Sequence, residues 1–201
     1  GFTGTKNQAL VGPGQLLVAE NVTYENGTLQ KEGGSAKYSS ELSGTPTIQG
    51  GFDWHPTDGT QRGIILTSAG ALLKDTGDGA YSVSLKTGLT VSDVVGVFVE
   101  GGKEQAANDR KLFCFTGKNV VQVLAADGAT TSDITAPPGD WAGANQPTTG
   151  VPHENRLCGA GNANDPHRVY MSLPTDHEDF TTTALSFSVY AGEGKTIVQI
   201  I

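Results

Sequence analysis

No stretch of the chain approaches the ~18 to 20 consecutive apolar residues that a membrane helix requires. The first residues, Gly1-Phe2-Thr3-Gly4, include neither an initiator Met nor the apolar core of a signal peptide. The expectation is a soluble chain trimmed at its start, with no membrane segment. Basic residues are also few: 13 Lys and Arg stand against 21 Asp and Glu, a formal charge of −8. That sign argues against tight binding to phosphates or nucleic acid. Cys114 and Cys158 are too few for a disulfide framework, and with no secretory signal they read as buried, reduced thiols made in a cytoplasm. What the chain has in excess is glycine, 28 of 201 residues, twice the usual ~7%. With 36% apolar residues it is too apolar for a disordered tail and too dilute for a helical bundle, so the composition predicts a folded, turn-rich chain.

A repeat is visible. Gln61-Arg62-Gly63-Ile64-Ile65-Leu66-Thr67 is echoed by Asp109-Arg110-Lys111-Leu112-Phe113-Cys114-Phe115 and by Asn155-Arg156-Leu157-Cys158-Gly159. In each copy an arginine opens a short apolar run, and Arg62, Arg110 and Arg156 are spaced close to the ~40 to 50 residues of a four-stranded propeller blade. Apolar strands precede the first two copies, at 48–54 and 94–100. Further runs follow all three, at 71–73, 120–124 and 169–171, with Gly70, Gly117 and Asn162 suited to turns that need positive φ. Tyr81, Val83 and Leu85 alternate with serine as a half-buried fourth strand should.

The predicted fold is all-β: a partial β-propeller over residues 46–201, with four-stranded blades at about 46–90, 91–140 and 141–190 and the start of a fourth at 195–201. Closure needs at least four blades, so the polypeptide is expected to continue beyond Ile201. Residues 1–45 form an N-terminal arm, with a helical turn at 15–19 and a hairpin around Asn26-Gly27, the strongest short-range hairpin signal. Pro-rich loops follow the second blade at Ala136-Pro137-Pro138 and Gln146-Pro147.

The chemical motifs resolve into plainer features. Gly192-Glu193-Gly194-Lys195-Thr196 lacks the Gly that a phosphate loop needs at position 189, and a β-branched run follows it instead of a helix. Asp75-Thr76-Gly77-Asp78-Gly79 fails as a calcium loop because Ala80 and Lys86 occupy the positions for Gly and Glu, leaving a solvated hairpin tip. Asp176-His177-Glu178-Asp179, with His153 and His167 nearby, has no helical ligand spacing and reads as a polar surface loop. No nucleophile elbow is present, and the two Asn-x-Thr acceptors at Asn21 and Asn26 read as hairpin residues. No catalytic residue, metal or cofactor is therefore predicted. Trp54 and Trp141 lie beside turns and are either exposed interface anchors or inter-blade packing. Together with Asp176, Glu178 and Asp179 they are the candidate interaction residues.

Two stretches go beyond repeat grammar. Gly14-x-x-Leu17-x-Ala19-x-Asn21-Val22-x-Tyr24-x-Asn26-Gly27-x-Leu29-x-Lys31-x-Gly33 is one. The other runs from Pro152-His153-Glu154-Asn155-Arg156-Leu157 through Asn164-Asp165-Pro166-His167-Arg168-Val169-Tyr170-x-Ser172 to Asp176-x-Glu178-Asp179-Phe180. Both resemble the bacteriophage tail hub, nozzle and tail-tubular proteins of short-tailed phages. The resemblance implies a structural virion protein of the phage tail, made in the bacterial host cytoplasm and assembled as a homo-oligomeric ring below the portal. Portal, adaptor and other tail proteins would be its partners, and double-stranded DNA would pass through without specific binding during ejection. It implies no catalytic residue. An acidic wall suits such a conduit because it repels phosphates. The competing readings are a carbohydrate- or receptor-binding propeller using Trp54 and Trp141 as platforms, and a hydrolase with Asp53, Asp109 and Asp133 converging on a channel.

Overall fold

The computed structural model describes residues 22–25, 28–31, 39, 41–56, 59–77, 79–102, 109–174, 176–181, 185–189 and 197. The chain divides into two units, Gly1–Tyr38 and Ser39–Ile201. In the first unit β1 (Val22–Glu25) pairs antiparallel with β2 (Thr28–Lys31), and Glu25 stands opposite Thr28. The pairing is that of the expected hairpin, and its Asn26-Gly27 turn lies outside the described residues. The helical turn expected at 15–19 lies outside the described residues.

The second unit is all-β, with three four-stranded antiparallel sheets and almost no helix. The first contains β3 (Ile48–Trp54), β4 (Arg62–Thr67), β5 (Leu72–Lys74) and β6 (Val83–Lys86). The second contains β7 (Val97–Gly102), β8 (Arg110–Phe115), β9 (Gln122–Leu124) and β10 (Thr131–Asp133). The third contains β11 (Thr149–His153), β12 (Arg156–Ala160), β13 (Arg168–Met171) and β14 (Ser186–Ser188). Each is a meander whose strands pair in chain order, the arrangement that short connections favour. No sheet closes on itself among the described residues. Arg62, Arg110 and Arg156 each open the second strand of their sheet.

Side-chain alternation along these second strands dictates how the sheets pack, because successive residues point to opposite faces. Ile64 and Leu66 share a buried cluster with Leu112, Cys114 and Leu124, joining the first sheet to the second. Phe113 and Phe115, on the other face of β8, share a cluster with Leu157 and Tyr170, joining the second sheet to the third. The first strands of successive sheets are neighbours, β3 beside β7 and β7 beside β11. The Gly96 amide just before β7 donates to the Gln49 carbonyl at 3.0 Å.

The same device joins successive sheets at their turns. Gly70 (φ 75°) and Gly117 (φ 69°) lie between the second and third strands of their sheets, in a backbone region costly for any residue with a Cβ. The connection leading to the next sheet crosses each of these glycines. Leu89 donates to the Gly70 carbonyl at 3.0 Å, and Gly117 donates to the Pro147 carbonyl at 2.9 Å. In the third sheet the positive φ belongs to Gly161 (80°) and not to Asn162, which is fully buried. The expected turn role of Asn162 is corrected accordingly.

The third sheet also has a first strand that composition hides. β11 contains Gly150 and Pro152, residues that normally mark a loop. It is an edge strand, where proline's missing donor is tolerated. Glu154 (φ 44°) and Asn155 (φ 62°) close a two-residue hairpin to β12, with both central residues at positive φ as a type I′ turn requires.

Candidate functional site

The segment after β13 doubles back and docks on the second sheet. The Leu173 amide donates to the Asp179 carbonyl at 2.8 Å, and Phe180 donates to the Ala136 carbonyl at 2.9 Å, beyond the end of β10. This brings Glu178 to Lys111 of β8, with Nζ to Oε1 at 2.5 Å, while Oε2 accepts from the Thr135 amide at 3.3 Å. His177 bridges as well: Nδ1 accepts from the Gly102 amide at 2.8 Å and Nε2 lies 2.9 Å from the Asn155 carbonyl. Accepting at Nδ1 and facing a carbonyl at Nε2 fixes the proton on Nε2.

His177 and Glu178 are thus buried, 8% and 7% exposed, and the expectation of a polar surface loop at 176–179 is corrected. The reason is tertiary: a carboxylate leaves water when a cation and an amide replace its hydration. Asp176 and Asp179 remain half-buried. Asp176 accepts from the Glu178 amide at 3.1 Å. Asp179 accepts from the Thr181 hydroxyl and amide, bonds that hold its carboxyl below the ordinary range.

Burial alone would lower the Lys111 pKa, but the hydrogen bond and charge of Glu178, helped by Asp109 and Asp176, outweigh it and hold the ammonium above its ordinary 10.5. Glu178→Gln is expected to lower stability by about 1.5–3 kcal/mol, the range for hydrogen bonds to charged groups. A double-mutant cycle with Lys111→Met, read by chemical denaturation, should show most of that loss as coupling. Zero coupling would mean that the pair is not a clamp between the sheets.

Trp54 and Trp141 are not exposed anchors: they are 0% and 3% exposed. Trp54 packs with Ile64, Leu66 and Leu112 between the first and second sheets. Trp141 fills the gap between the second and third sheets, 5.5 Å edge-on from Tyr170 and 4.8 Å from Phe180. A Cβ on Gly159 would stand 2.6 Å from its ring, so the glycine is what admits the indole. Burial, followed by a hydrogen bond to Asp140, pushes the Tyr170 hydroxyl up to about 12.

At the hairpin tip expected over 75–79, Thr76 and Gly77 are exposed as a solvated turn requires, but Asp75 is not. Asp75 is 2% exposed and accepts from the Gly77 and Gly79 amides at 2.9 and 3.1 Å. Asp53, Asp109 and Asp133 engage different partners, Gln61, Lys111 and Lys86. Among the described residues no three His, Cys, Asp or Glu side chains form a metal-binding group. Cys114 and Cys158 are buried free thiols, and burial pushes the Cys114 thiol up to about 12.

An apolar surface lies on the third sheet, on the face turned away from the second. Pairing aligns Val151, Cys158 and Met171 across it, with Ala160, Val169 and Phe187 beside them. A cleft of about 800 Å³ opens over this face. Phe187 is 50% exposed, the opposite of the Phe113 and Phe115 face of the second sheet, which is fully covered.

Register also aligns the cations. Arg62 stands opposite Trp54, Lys111 opposite Gly101 and Arg156 opposite His153, each preceding the apolar series that faces the following sheet. In the middle copy the equivalent cation is therefore Lys111, and Arg110 is one residue out of phase, on the opposite face. The first two cations meet the next sheet, Arg62 beside Gly128 and Lys111 on Glu178. Arg156 donates to the Ser172 carbonyl of its own unit at 2.7 Å. No protein-family model matches the chain, and no curated protein matches its sequence.

Proposed function

We propose that the chain is a non-enzymatic structural component of a phage tail, a propeller-like arc that contributes to a homo-oligomeric ring through which double-stranded DNA leaves the virion. The observation that carries this reading is the succession of three like meanders whose first strands adjoin one another, β3 to β7 to β11. Radial repetition with the first strand nearest the axis is how a propeller buries sheet faces and protects edges. The three first strands contain Asp53 and Glu100 and no Lys or Arg. With the net charge of −8, such a wall repels phosphates and lets DNA slide. Trp54 and Trp141 are buried and offer no exposed ring to a sugar, which supports the structural reading over the carbohydrate-binding one. Ring assembly and the portal, adaptor and tail partners rest on the resemblance of the Asn21 to Gly33 and Pro152 to Phe180 stretches to tail hub and nozzle proteins.

Electron microscopy tests the reading. Antibody labelling of intact virions is expected to mark the neck or tail, and the purified protein is expected to form symmetric rings that do not retain DNA at physiological salt. Monodisperse protein that binds glycans and is missing from virions would overturn it.

A further inference from the structure

Successive sheets of the chain are joined by one rule. Arg62 of the first sheet lies beside Gly128, in the connection between the third and fourth strands of the second sheet. Lys111 of the second sheet meets Glu178, in the same connection of the third. Behind each cation the apolar residues of its strand, Ile64 and Leu66 or Phe113 and Phe115, are buried by the following sheet. On the third sheet the same positions are Arg156, Cys158 and Ala160, with Val169 and the half-buried Val151 and Met171 around them. Among the described residues no further sheet follows, and the 800 Å³ cleft opens over this face. The fourth-blade start expected at 195–201 lies, Ile197 apart, outside the described residues. Burial pushes the Cys158 thiol up, while the charge of Arg156 pulls it down, so the guanidinium is felt across the open face.

The other end of the chain's sheet series presents the complement. On the side of the first sheet turned away from the second, Asp53 stands opposite Gly63, and Gly51 stands opposite Ile65, which pairs with Leu73. Asp53 and Gly51 are exposed and Leu73 is half-buried. Gly51 holds the register position that Gly150 holds on the third sheet, where the Phe115 ring of the preceding sheet lies against it. Among the described residues, a Cβ on Gly51 would meet only Ile64 and Ile65 of its own sheet, at 3.5 and 3.6 Å. The connection between β5 and β6 corresponds to the two that meet Arg62 and Lys111. Within it burial, followed by the charges of Asp75 and Asp53, holds the Tyr81 hydroxyl above its ordinary 10.0. One face therefore carries a cation above apolar bulk, and the other carries negative potential beside a gap at the matching level.

We propose that the third sheet of one copy packs face on face against the first sheet of a second copy, with Arg156 meeting Asp53 and the Tyr81 end of the β5–β6 connection. The contact is head to tail, so each copy keeps one face of each kind for the next, and repetition gives a ring where the rotation closes. This inference rests on the homo-oligomeric reading above and assigns its interface.

Charge exchange tests it, read by analytical ultracentrifugation of Arg156→Glu and Asp53→Lys, with circular dichroism to confirm that each variant folds. Either substitution alone places like charges across the contact and is expected to abolish association. An equimolar mixture of the two variants restores opposite charges at every contact and is expected to associate again. The two thiols give a local readout, since Cys158 lies on the face in question and Cys114 lies between the first and second sheets. Maleimide labelling of the unsubstituted chain, followed site by site with mass spectrometry, is expected to slow about tenfold at Cys158 as protein concentration rises, and not at Cys114. Variants that associate like the unsubstituted chain overturn the proposal, as does a mixture that stays monomeric. Slow Cys158 labelling at every concentration also overturns it, by assigning the face to the chain's own residues. A monomer that still marks the neck or tail of virions refutes this interface and leaves the tail reading standing. Association that follows the charge exchange, in a protein missing from virions, upholds the interface and refutes the tail reading.

Discussion

Replacing Leu112 by Asp is expected to abolish soluble, folded protein. Leu112 is fully buried between the first and second sheets, in a cluster with Trp54, Ile64, Leu66 and Leu124. A carboxylate there loses its hydration among apolar neighbours. The nearest cation in sequence, Lys111, points to the opposite face and is held by Glu178. An unpaired buried charge costs several kcal/mol even after the group neutralises by taking up a proton. That is a large part of the ~5–15 kcal/mol by which a domain is stable. The check is the soluble fraction on expression and the circular dichroism of whatever remains. A Leu112→Asp protein with an unchanged melting temperature would show that β8 is not core.

Phe115→Ala is expected to cost about 3–5 kcal/mol, the range for truncating a buried aromatic residue. Phe115 has no exposed surface and packs between the second and third sheets. Its ring lies against two glycines of the third sheet: a Cβ on Gly150 would stand 2.5 Å from it and one on Gly159 3.5 Å. Those positions have no side chain that could move into the hole, so the site collapses poorly and the cost belongs at the upper end. Phe115→Leu, which retains most of the volume, should lose less than half as much. Urea denaturation read by tryptophan fluorescence measures both, because Trp141 lies in the same cluster. Equal, small losses for the two substitutions would place Phe115 outside a packed interface.

Both substitutions concern the part of the fold that local chemistry made readable. Ile64-Ile65-Leu66 and Leu112-Phe113-Cys114-Phe115 are runs buried on both faces, and such runs announce themselves by composition. Gly70 and Gly117 were legible because positive φ has few alternatives to glycine. β11 was hidden because Gly150 and Pro152 signal a loop until the strand is known to lie on an edge. β10 and β14, Thr131–Asp133 and Ser186–Ser188, are short and polar and take their identity from the strands they pair with.

The candidate site was less legible, for one physical reason. His177 and Glu178 look like surface residues in any window of neighbouring sequence, and only the docking of residues 173–180 on the second sheet supplies the Lys111, Gly102 and Thr135 partners that allow their burial. Trp54 and Trp141 are similar: turns flank them in sequence, but sheets flank them in space. The phase of the repeat shows the same limit. Arg110 matches Arg62 and Arg156 in the alignment of letters, whereas strand register assigns the equivalent position to Lys111, since a shift of one residue reverses every side chain.

Crystallographic determination of the chain's structure is the most direct test of how the three meanders are arranged. Successive sheets are expected to stack face on face with β3, β7 and β11 adjoining in order, and with Arg62, Lys111 and Arg156 at one common corner. Two sheets packed as a sandwich, with those three cations at unrelated places, would contradict the arrangement and the structural role proposed from it.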